Sequence, residues 1–523
     1  MSETFILGLL LLISPLVLLL LSIKRTNSNK LNLPPCPPKL PLIGNLHQLG
    51  SLPHRSLRSL ANKHGPTMLL QLGQVPTLVV SSPEITCEIM KTKDIIFASR
   101  PPSKIIATLL HGSNDIAFAP YGEYWRKARK LCVTHLLGTK MVQFFQHARE
   151  EEVECMMANI YETSQSYVNL SSILNMFATN IVTRVVSNDL FRDQEKKSML
   201  HMLIEENSAL VGAFHPADFF PLIGWLDIFS LDWRGAFHPA DFFPLIGWLD
   251  IFSLDWRGKR NAKRWDNILE EVINNKAKRL KDDVSHNNNR DFVEVLLSLE
   301  NDPSVDFPFT RGNIKAILMD MFAAGIDTSY ITLEWSMAEL VRNPKVMKKL
   351  QDEVRGKARG KDMIRDEDLS KMSYLKSVIK EVMRLHPPVP LLLPRVLTES
   401  SELSGYKIPK NTRIIINAWA LARDPKCWEE PDEFRPERFM DSLIDFKGND
   451  FQFIPFGAGR RICPGMNFAM HNIELALANL VNRFEWSMPE HLSREDLDMN
   501  ETPGLTSRKE KRLDLVAKFL AVG

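Results

Sequence analysis

An uncharged and mostly apolar run occupies residues 5–23, close to the start of the chain. These nineteen residues are just long enough to cross a bilayer as a helix. Lys24 and Arg25 follow the run whereas Glu3 precedes it, so the positive-inside rule places the C-terminal side in the cytosol. A cleaved signal peptide would need a basic start, a shorter apolar core and an Ala-x-Ala-like cleavage site, and the sequence has none of these. The pattern therefore predicts a signal anchor over residues 1–30 with a transmembrane helix over residues 5–23.

A proline-rich stretch separates this run from the rest of the chain. Five of the nine residues from Leu33 to Pro41 are prolines, which makes the stretch stiff and extended. No Gly/Ser linker and no block of like charges divides the sequence beyond it. We therefore predict a hinge over residues 31–41 and one large domain over residues 42–523.

Periodic apolar positions predict helices over most of this large domain. Two β-rich runs at residues 67–72 and 77–81 predict a hairpin. The longest helix is predicted over residues 310–342, about 50 Å at 1.5 Å per residue, and another over residues 370–385. Short strands are predicted between turns further on, at residues 407–408 and 413–416. The predicted fold class is mainly α with small β-sheets.

One segment of 23 residues is duplicated. Residues 212–234 recur without a single change as residues 235–257. A solenoid needs at least three repeats, so perfect identity of two copies indicates a recent tandem duplication or a gene-model artefact. Each copy is rich in Phe and Trp and lacks long helical periodicity, which predicts a loop at the membrane face.

Charge and cysteine usage narrow the function classes. The net charge of +2 gives no support to nucleic-acid binding. The six cysteines contain no CxxC pair and no disulfide-framework spacing, which fits a reduced, cytosolic-facing environment.

A cysteine close to the C-terminus lies in a glycine-rich pattern. Residues 456–465 read FGAGRRICPG and fit F-x-x-G-x-R-x-C-x-G at every fixed position. An apolar, helix-forming run follows, so Cys463 sits at a helix N-terminus, where free N–H groups and the dipole favour a thiolate. The absence of a following Gly-Lys-Ser/Thr excludes a phosphate-binding loop. A thiolate that ligates haem iron favours O–O cleavage, and the pattern favours this role for Cys463 over a structural one.

This stretch resembles the haem-binding loop of the cytochrome P450 family, and the resemblance runs from about Pro34 to the end of the chain. Four further family motifs occur in the expected order: W-x-x-x-R at residues 125–129, A-G-x-D-T-S at residues 324–329, E-x-x-R at residues 381–384 and P-E-R-F at residues 436–439. The proline hinge, FASRPP at residues 97–102 and TPGLTSRK at residues 502–509 resemble plant microsomal A-type members of specialised metabolism. The resemblance implies a cytochrome P450 haem-thiolate fold with haem b, its iron bound by the thiolate of Cys463.

The longest predicted helix carries the motif at residues 324–329. Gly325 costs about 1 kcal/mol relative to Ala in a helix interior, so something must pack closely on it or its backbone must open. Asp327 and Thr328 supply an acid and a hydroxyl beside it. The resemblance implies that this helix lies over the haem and that Thr328 and Asp327 are catalytic, relaying protons in dioxygen activation.

Arginines and a tryptophan are implied as haem-binding residues. Trp125 and Arg129 share one face of a predicted helix, where the guanidinium can hold a carboxylate bidentately and the indole N–H can donate beside it. The resemblance assigns both to the haem propionates, together with Arg395 and Arg461.

Glu381 and Arg384 place opposite charges on one helix face, an arrangement that is common on protein surfaces. The resemblance implies that Arg438 joins them in a buried Glu–Arg–Arg network with a structural role around the haem loop.

The function implied is a haem-thiolate monooxygenase that inserts one oxygen atom from O2 into a small lipophilic plant metabolite of the terpenoid, alkaloid or phenylpropanoid class. Electrons would come from NADPH through NADPH-cytochrome P450 reductase, at the endoplasmic reticulum membrane with the catalytic domain facing the cytosol. Substrate contacts are expected from residues 103–118, 320–324, 389–393 and 503–506. Two alternatives stay open: a reductase-independent isomerase or dehydratase, a class that typically lacks the threonine equivalent to Thr328, and a haem protein impaired by the duplication.

Overall fold

The computed structural model describes residues 32–163, 167–187, 194–220, 251–282, 291–300, 302–303, 305, 307–490 and 492–520. The predicted anchor and transmembrane helix lie outside these ranges, as do residues 221–250 of the duplicated segment. The described part of the hinge packs against the body of the protein, with Leu69 N donating to Pro35 O at 2.9 Å.

Helices dominate the described chain, as predicted. They are α1 (Pro53–His64), α2 (Pro83–Cys87), α3 (Asp94–Phe97), α4 (Lys104–Leu109), α5 (Glu123–Leu131), α6 (Thr139–Phe144), α7 (Gln146–Thr163), α8 (Leu170–Val186), α9 (Gln194–Gly212), α10 (Pro216–Phe219), α11 (Ile251–Asp282), α12 (Phe292–Glu300), α13 (Arg311–Arg342), α14 (Pro344–Ala358), α15 (Asp366–Leu369), α16 (Ser373–Leu385), α17 (Ala418–Leu421) and α18 (Met466–Arg483). Single turns of 3₁₀ or π helix occur at Leu46–Gln48, Glu88–Thr92, Cys132–Leu136, Pro436–Phe439 and Gly459–Arg461.

The strands form small sheets. They are β1 (Thr67–Leu72), β2 (Val75–Val80), β3 (Val168–Asn169), β4 (Arg395–Val396), β5 (Ser401–Leu403), β6 (Tyr406–Ile408), β7 (Arg413–Ile416), β8 (Phe484–Ser487) and β9 (Asp514–Phe519). The largest sheet has the order β1-β2-β7-β4, in which β2 and β7 are parallel and the outer pairs are antiparallel. A second sheet has the order β3-β9-β8, and β5 and β6 form a hairpin. The predicted hairpin at residues 67–81 is present, with Thr67 opposite Val80.

The core helix α13 positions the functional residues. Asn313 Oδ1 accepts a hydrogen bond from Thr310 N at 2.7 Å and so fixes the first turn. The helix is apolar on most faces because it packs against α8, α16 and α18 in the interior. It ends at Arg342, and Pro344 opens α14 as predicted. Within the described residues α13 is the one helix long and apolar enough to span a membrane, and 67% of its apolar window is buried.

The described ends of the duplicated segment are mostly helical. Gly212 is the last residue of α9, and Ile251 already begins the 32-residue helix α11. The prediction of a loop is therefore wrong for residues 251–257. Packing of α11 against α4 and α9 stabilises a helix that the local sequence pattern does not indicate.

Candidate active site

A cavity of about 350 Å³ lies between α8, α9, α13 and the loop before α18. Most of its wall is apolar, and residues 103–118, 320–324, 389–393 and 503–506 all contribute to it. The predicted haem-binding and catalytic residues face the same space: Trp125, Arg129, Asp327, Thr328, Arg395, Arg461 and Cys463. Sequence motifs far apart along the chain thus meet at one site.

Glycines shape the loop that carries the cysteine. Gly457 and Gly459 have φ values of +69° and +67°, in the left-handed region that glycine adopts without strain. A Cβ atom at Gly459 would lie 2.0 Å from the carbonyl oxygen of Met90, so no larger residue fits there. Cys463 N donates to Phe456 O at 3.0 Å and closes the loop just before α18.

The environment of the Cys463 thiol combines burial with hydrogen-bond donors. Burial raises the pKa of the thiol, while the backbone N–H groups of Gly465 and Met466 and the Arg129 guanidinium act in the opposite direction. The predicted lowering of the thiol pKa by N–H groups at the helix N-terminus is therefore present. In the protein alone, the rise in pKa caused by burial is larger. A coordinating metal ion deprotonates a thiol outright, so these donors would then face a thiolate.

Two buried arginines line the cavity beside this loop. Arg461 donates from Nε to Ala98 O at 2.7 Å and from Nη2 to Ala119 O at 2.6 Å. Arg395 pairs with Asp94 at 3.1 Å. Burial and the nearby charge of Arg395 lower the pKa of Arg461 to about 9. Cations that repel each other in a buried wall favour an anionic ligand.

Trp125 and Arg129 also line the cavity, and the tryptophan differs from its predicted orientation. Arg129 donates from Nη2 to Ile462 O at 2.5 Å, beside the cysteine. The indole N–H of Trp125 donates to Ile116 O at 2.9 Å, so it is engaged within the protein. The Arg461 guanidinium lies 4.0 Å from the centre of the Trp125 ring. Trp125 thus supports Arg461 and the loop that contains Ile116.

A fourth arginine of the cavity wall, Arg100, was not among the predicted site residues. It donates from Nε to Ala117 O at 2.9 Å and from Nη1 to Leu393 O at 2.7 Å. Burial and the charge of Arg461 hold its pKa well below the ordinary value. The FASRPP motif contains this residue and was the signal that could have found it.

Thr328 lies in the middle of α13 and faces the cavity. Its Oγ1 donates to Ala324 O at 2.7 Å, the bond to the preceding turn that helical threonines often make. Gly325 packs closely on α8, because a Cβ atom there would lie 3.2 Å from Val182 Cγ2. Close packing thus explains the glycine in the helix interior.

Asp327 is tied to the C-terminal loop. Its Oδ2 accepts a hydrogen bond from Thr506 Oγ1 at 2.8 Å, and its Oδ1 pairs with Arg508 Nη2 at 2.8 Å. Burial raises the pKa of Asp327, and Arg508 and Thr506 oppose that rise. Sequence motifs did not identify these two partners.

A second acid on α13, the half-buried Asp320, holds the loop above the cavity. Asp320 Oδ2 accepts hydrogen bonds from Ile116 N at 2.7 Å and Ala117 N at 3.2 Å, and Asp115 Oδ2 accepts one from Phe118 N at 2.7 Å. Burial raises the pKa of Asp115 to about 6 and that of Asp320 well above its ordinary value, where the neighbouring Asp115 adds to the rise.

The predicted Glu–Arg–Arg residues meet away from the cavity. Glu381 pairs with Arg384 at 2.7 Å and with Arg438 at 3.0 Å. Arg384 also donates to Ala422 O at 2.7 Å and to Pro431 O at 2.6 Å. The side chains of Glu381 and Arg384 have no exposed surface, so the charges are compensated inside the protein.

Known proteins are similar to this chain in sequence and in fold. The cytochrome P450 family model matches residues 34–515. Cytochrome P450 736A117 of Prunus mume is 44% identical over 500 residues, which cover 94% of this chain and 92% of that protein. Norfluorocurarine oxidase of a Strychnos species is 45% identical over 499 residues, with 94% and 93% coverage. Strychnine-11-hydroxylase of Strychnos nux-vomica is 43% identical over 521 residues, with 99% and 97% coverage.

The fold agrees with these sequence matches. A zebra fish cytochrome P450 solved with abiraterone superposes with a TM-score of 0.72 at 24% identity, covering 90% of this chain and 99% of that chain. The family and fold imply haem with a cysteine thiolate ligand. The site fits this group, because Cys463 is surrounded by N–H donors and because buried arginines around it can receive propionates. The chain belongs to the cytochrome P450 family and is a haem-dependent monooxygenase with Cys463 as the axial ligand.

Proposed function

We propose that this monooxygenase inserts one oxygen atom from dioxygen into a small lipophilic plant metabolite of the terpenoid, alkaloid or phenylpropanoid class. The observation that carries the proposal is the mostly apolar cavity that brings Cys463, Thr328 and the four expected substrate segments together. Two relatives are named as an oxidase of norfluorocurarine and a hydroxylase of strychnine, which makes alkaloids the first compounds to test.

The haem would be held by residues of three separate segments. Cys463 would ligate the iron, and the guanidinium groups of Arg129, Arg395 and Arg461 would bind the propionates. Trp125 would keep Arg461 in place through its ring, since its N–H already donates to Ile116 O. Haem with a thiolate ligand supplies the chemistry of O–O bond cleavage.

Thr328 and Asp327 would deliver protons into the cavity. The Thr328 hydroxyl lies in the wall and can turn from Ala324 O toward a cavity acceptor by rotation about χ1. Asp327, whose pKa is raised by burial, can hold and release a proton closer to neutral pH than an exposed aspartate. In the proposed relay Asp327, whose carboxylate Arg508 holds, would resupply Thr328 with protons.

Electrons would arrive from NADPH through NADPH-cytochrome P450 reductase. A depression beside the cysteine loop is lined by Lys91, Lys447 and Arg460 together with Ile462, the residue before Cys463. Its basic side chains suit an acidic partner surface. The apolar run at residues 5–23 would anchor the enzyme in the endoplasmic reticulum membrane, with the catalytic domain over residues 42–523 in the cytosol.

A reductase-independent isomerase or dehydratase is not favoured. Thr328 is present in the cavity wall, and two of the relatives carry oxidase or hydroxylase names. The effect of the duplication on turnover stays a prediction.

The proposal is tested in membranes that contain the full-length protein and a plant NADPH-cytochrome P450 reductase. A panel of terpenoids, alkaloids and phenylpropanoids is incubated with and without NADPH, and products are identified by mass spectrometry. We expect NADPH-dependent products that are 16 mass units heavier. Cys463→Ser is the control, which should lose both the products and the red-shifted Soret band of the reduced carbon-monoxide complex. Conversion that needs no NADPH would instead establish the isomerase or dehydratase alternative.

A further inference from the structure

The cavity-facing side of α9 is interrupted by two polar residues. Ile204, Asn207, Ser208 and Val211 line the cavity, and their spacing of three and four residues places them on one helix face. An apolar stripe of this kind buries hydrophobic side chains against the interior. Polar residues within it therefore need a partner or a function.

Ser208 has a partner in the protein. Its Oγ lies 2.7 Å from Thr506 Oγ1, and Thr506 in turn donates to Asp327. The ionic groups of the cavity wall also have hydrogen-bond partners within the protein. Asp320 accepts backbone N–H groups, and the cavity arginines donate to carbonyl oxygens.

Asn207 is different. Its exposed fraction is only 7%, and its Oδ1 has no hydrogen-bond partner among the residues that the structure describes. A buried polar group without a partner destabilises the folded protein, because it has lost its hydrogen bonds to water. Ser329 Oγ in the same wall also lacks a partner within the described part of the chain, but a helical serine can rotate to the carbonyl oxygen one turn earlier. The amide oxygen of Asn207 has no such local alternative, because the backbone N–H groups inside a helix are already bonded within it.

We propose that Asn207 is a specificity-determining residue that hydrogen-bonds a free hydroxyl group of the substrate. This rests on the proposed oxidation of a lipophilic metabolite and narrows that class to alcohols and phenols. A hydroxyl both donates and accepts, so it satisfies the Asn207 amide in either orientation of its oxygen and nitrogen. The remaining wall is mostly apolar and takes the carbon skeleton.

This hydrogen bond would also make the enzyme discriminate between alcohols and molecules that lack the hydroxyl group. A molecule without the hydroxyl leaves the Asn207 amide buried and unpaired, whereas an alcohol removes that cost on binding. Methylation of the hydroxyl removes its donor and adds bulk at the contact. The cavity should therefore prefer an alcohol to its own methyl ether.

The test measures ligand binding by the shift of the Soret band in the haem-loaded enzyme. Borneol, geraniol and eugenol are each compared with their methyl ethers, in the wild-type protein and in Asn207→Leu. We expect at least one alcohol to bind the wild type about tenfold more tightly than its ether, a difference of one ordinary hydrogen bond. In Asn207→Leu the preference should disappear while the ether binds at least as well as before. Absence of any preference for an alcohol in the wild type would overturn the proposal.

Thermal unfolding gives a second, independent readout. Asn207→Leu removes an unpaired buried amide and should raise Tm by about 1–3 °C. The matched control is Asn479→Leu, because Asn479 is a buried asparagine whose amide bonds to Ile364 N, Ile364 O and Leu475 O. That control should lower Tm. A loss of Tm in Asn207→Leu as large as in the control would make Asn207 a structural residue.

The two proposals fail in different ways. NADPH-dependent products without any alcohol preference would overturn the role of Asn207 and leave the monooxygenase function intact. An alcohol preference without NADPH-dependent products would support the role of Asn207 and overturn the proposed oxidation of the metabolite.

Discussion

Asp327 Oδ2 accepts a hydrogen bond from Thr506 Oγ1 at 2.8 Å, joining two residues that are 179 positions apart in the sequence. Because Arg508 holds the other carboxylate oxygen, the acid beside Thr328 is fixed on the C-terminal loop. The same loop contributes Leu505 and Thr506 to the cavity wall. The proposed proton delivery and the proposed substrate contact would thus be connected through one short segment.

Thr328→Ala should uncouple electron consumption from product formation. The substitution removes the hydroxyl that we propose as the last proton donor, while the helix keeps its backbone bonds and haem binding is retained. NADPH consumption should continue, with more of it appearing as hydrogen peroxide and less as product. Both are measured per NADPH oxidised in the presence of reductase.

Ser336→Ala is the matched control on the same helix. Ser336 Oγ donates to Thr332 O at 2.7 Å, the same type of bond that Thr328 makes, and it is fully buried outside the cavity. Its coupling should equal that of the wild type. Equal coupling in Thr328→Ala would show that Thr328 is only a helix residue.

Glu381→Gln should destabilise the protein by about 3–5 kcal/mol, since it leaves two buried arginines without their shared carboxylate. The loss is read from urea unfolding and from the carbon-monoxide signal per unit of protein. Glu429→Gln is the control, because Glu429 pairs with Arg435 at 2.7 Å with 80% of its side chain exposed. That change should leave the unfolding curve close to that of the wild type, because the exposed pair contributes little to stability. Similar unfolding of both variants would argue against a structural network.

Much of the site could be predicted from the sequence because its motifs are short and local. The cysteine loop depends on glycines within ten residues, and Glu381 and Arg384 share one helix face. The contact between Thr506 and Asp327 and the position of Asn207 in the cavity wall could not be found in this way. Their roles arise from tertiary contacts, which local periodicity does not encode. The start of α11 at Ile251 is another case, since packing on α4 and α9 rather than local pattern makes that stretch helical.

Asp320→Asn should stabilise the protein at neutral pH. The raised pKa of Asp320 means that folding takes up a proton, which costs free energy above the ordinary aspartate pKa near 4. An asparagine mimics the protonated acid, since its oxygen can accept from Ile116 N and Ala117 N while its N–H2 faces Asp115. The gain should be largest near pH 7 and shrink as the pH falls toward 4, where the acid of the unfolded chain also begins to be protonated.

Unfolding midpoints from pH 4 to pH 7 measure this difference. Arg100 and Arg461 act on Asp115 in the opposite direction to its burial, so the effect belongs to the acid pair as a whole. Asp320→Leu is the contrast, because it removes the acceptor and should destabilise at every pH. An Asp320→Asn variant less stable than wild type at pH 7 would mean that the carboxylate is ionised.

Deletion of residues 1–30 should release much of the protein from bulk membrane and leave the haem domain folded. The described body begins with the hinge, whose Pro35 O is already bonded to Leu69 N in β1. Fractionation of membranes gives the released share, and the carbon-monoxide spectrum reports the fold. A truncated protein that fails to bind haem would contradict an independent anchor.

Deletion of residues 235–257 should preserve the carbon-monoxide spectrum and maintain or raise turnover. The deletion joins residue 234 to Gly258, and residues 228–234 have the same sequence as residues 251–257, so α11 can form its first turns unchanged. The first copy keeps its junction with α9 at Gly212, where a Cβ atom would lie 2.5 Å from Leu505 N. Doubling the length of a flexible loop costs only about 0.6 kcal/mol in closure entropy, so we expect the haem core to tolerate either length.

The matched control deletes residues 212–234 instead, which yields the same protein sequence, so any difference between the two would expose an error of preparation. Turnover is measured with reductase on the substrate that the panel identifies, and ligand entry by the rate of the Soret shift after mixing. We expect faster or equal entry, because the shorter chain has no additional segment that could obstruct the cavity. Loss of haem incorporation in the shortened protein would show that both copies are built into the core, and the hypothesis of a dispensable second copy would then be wrong.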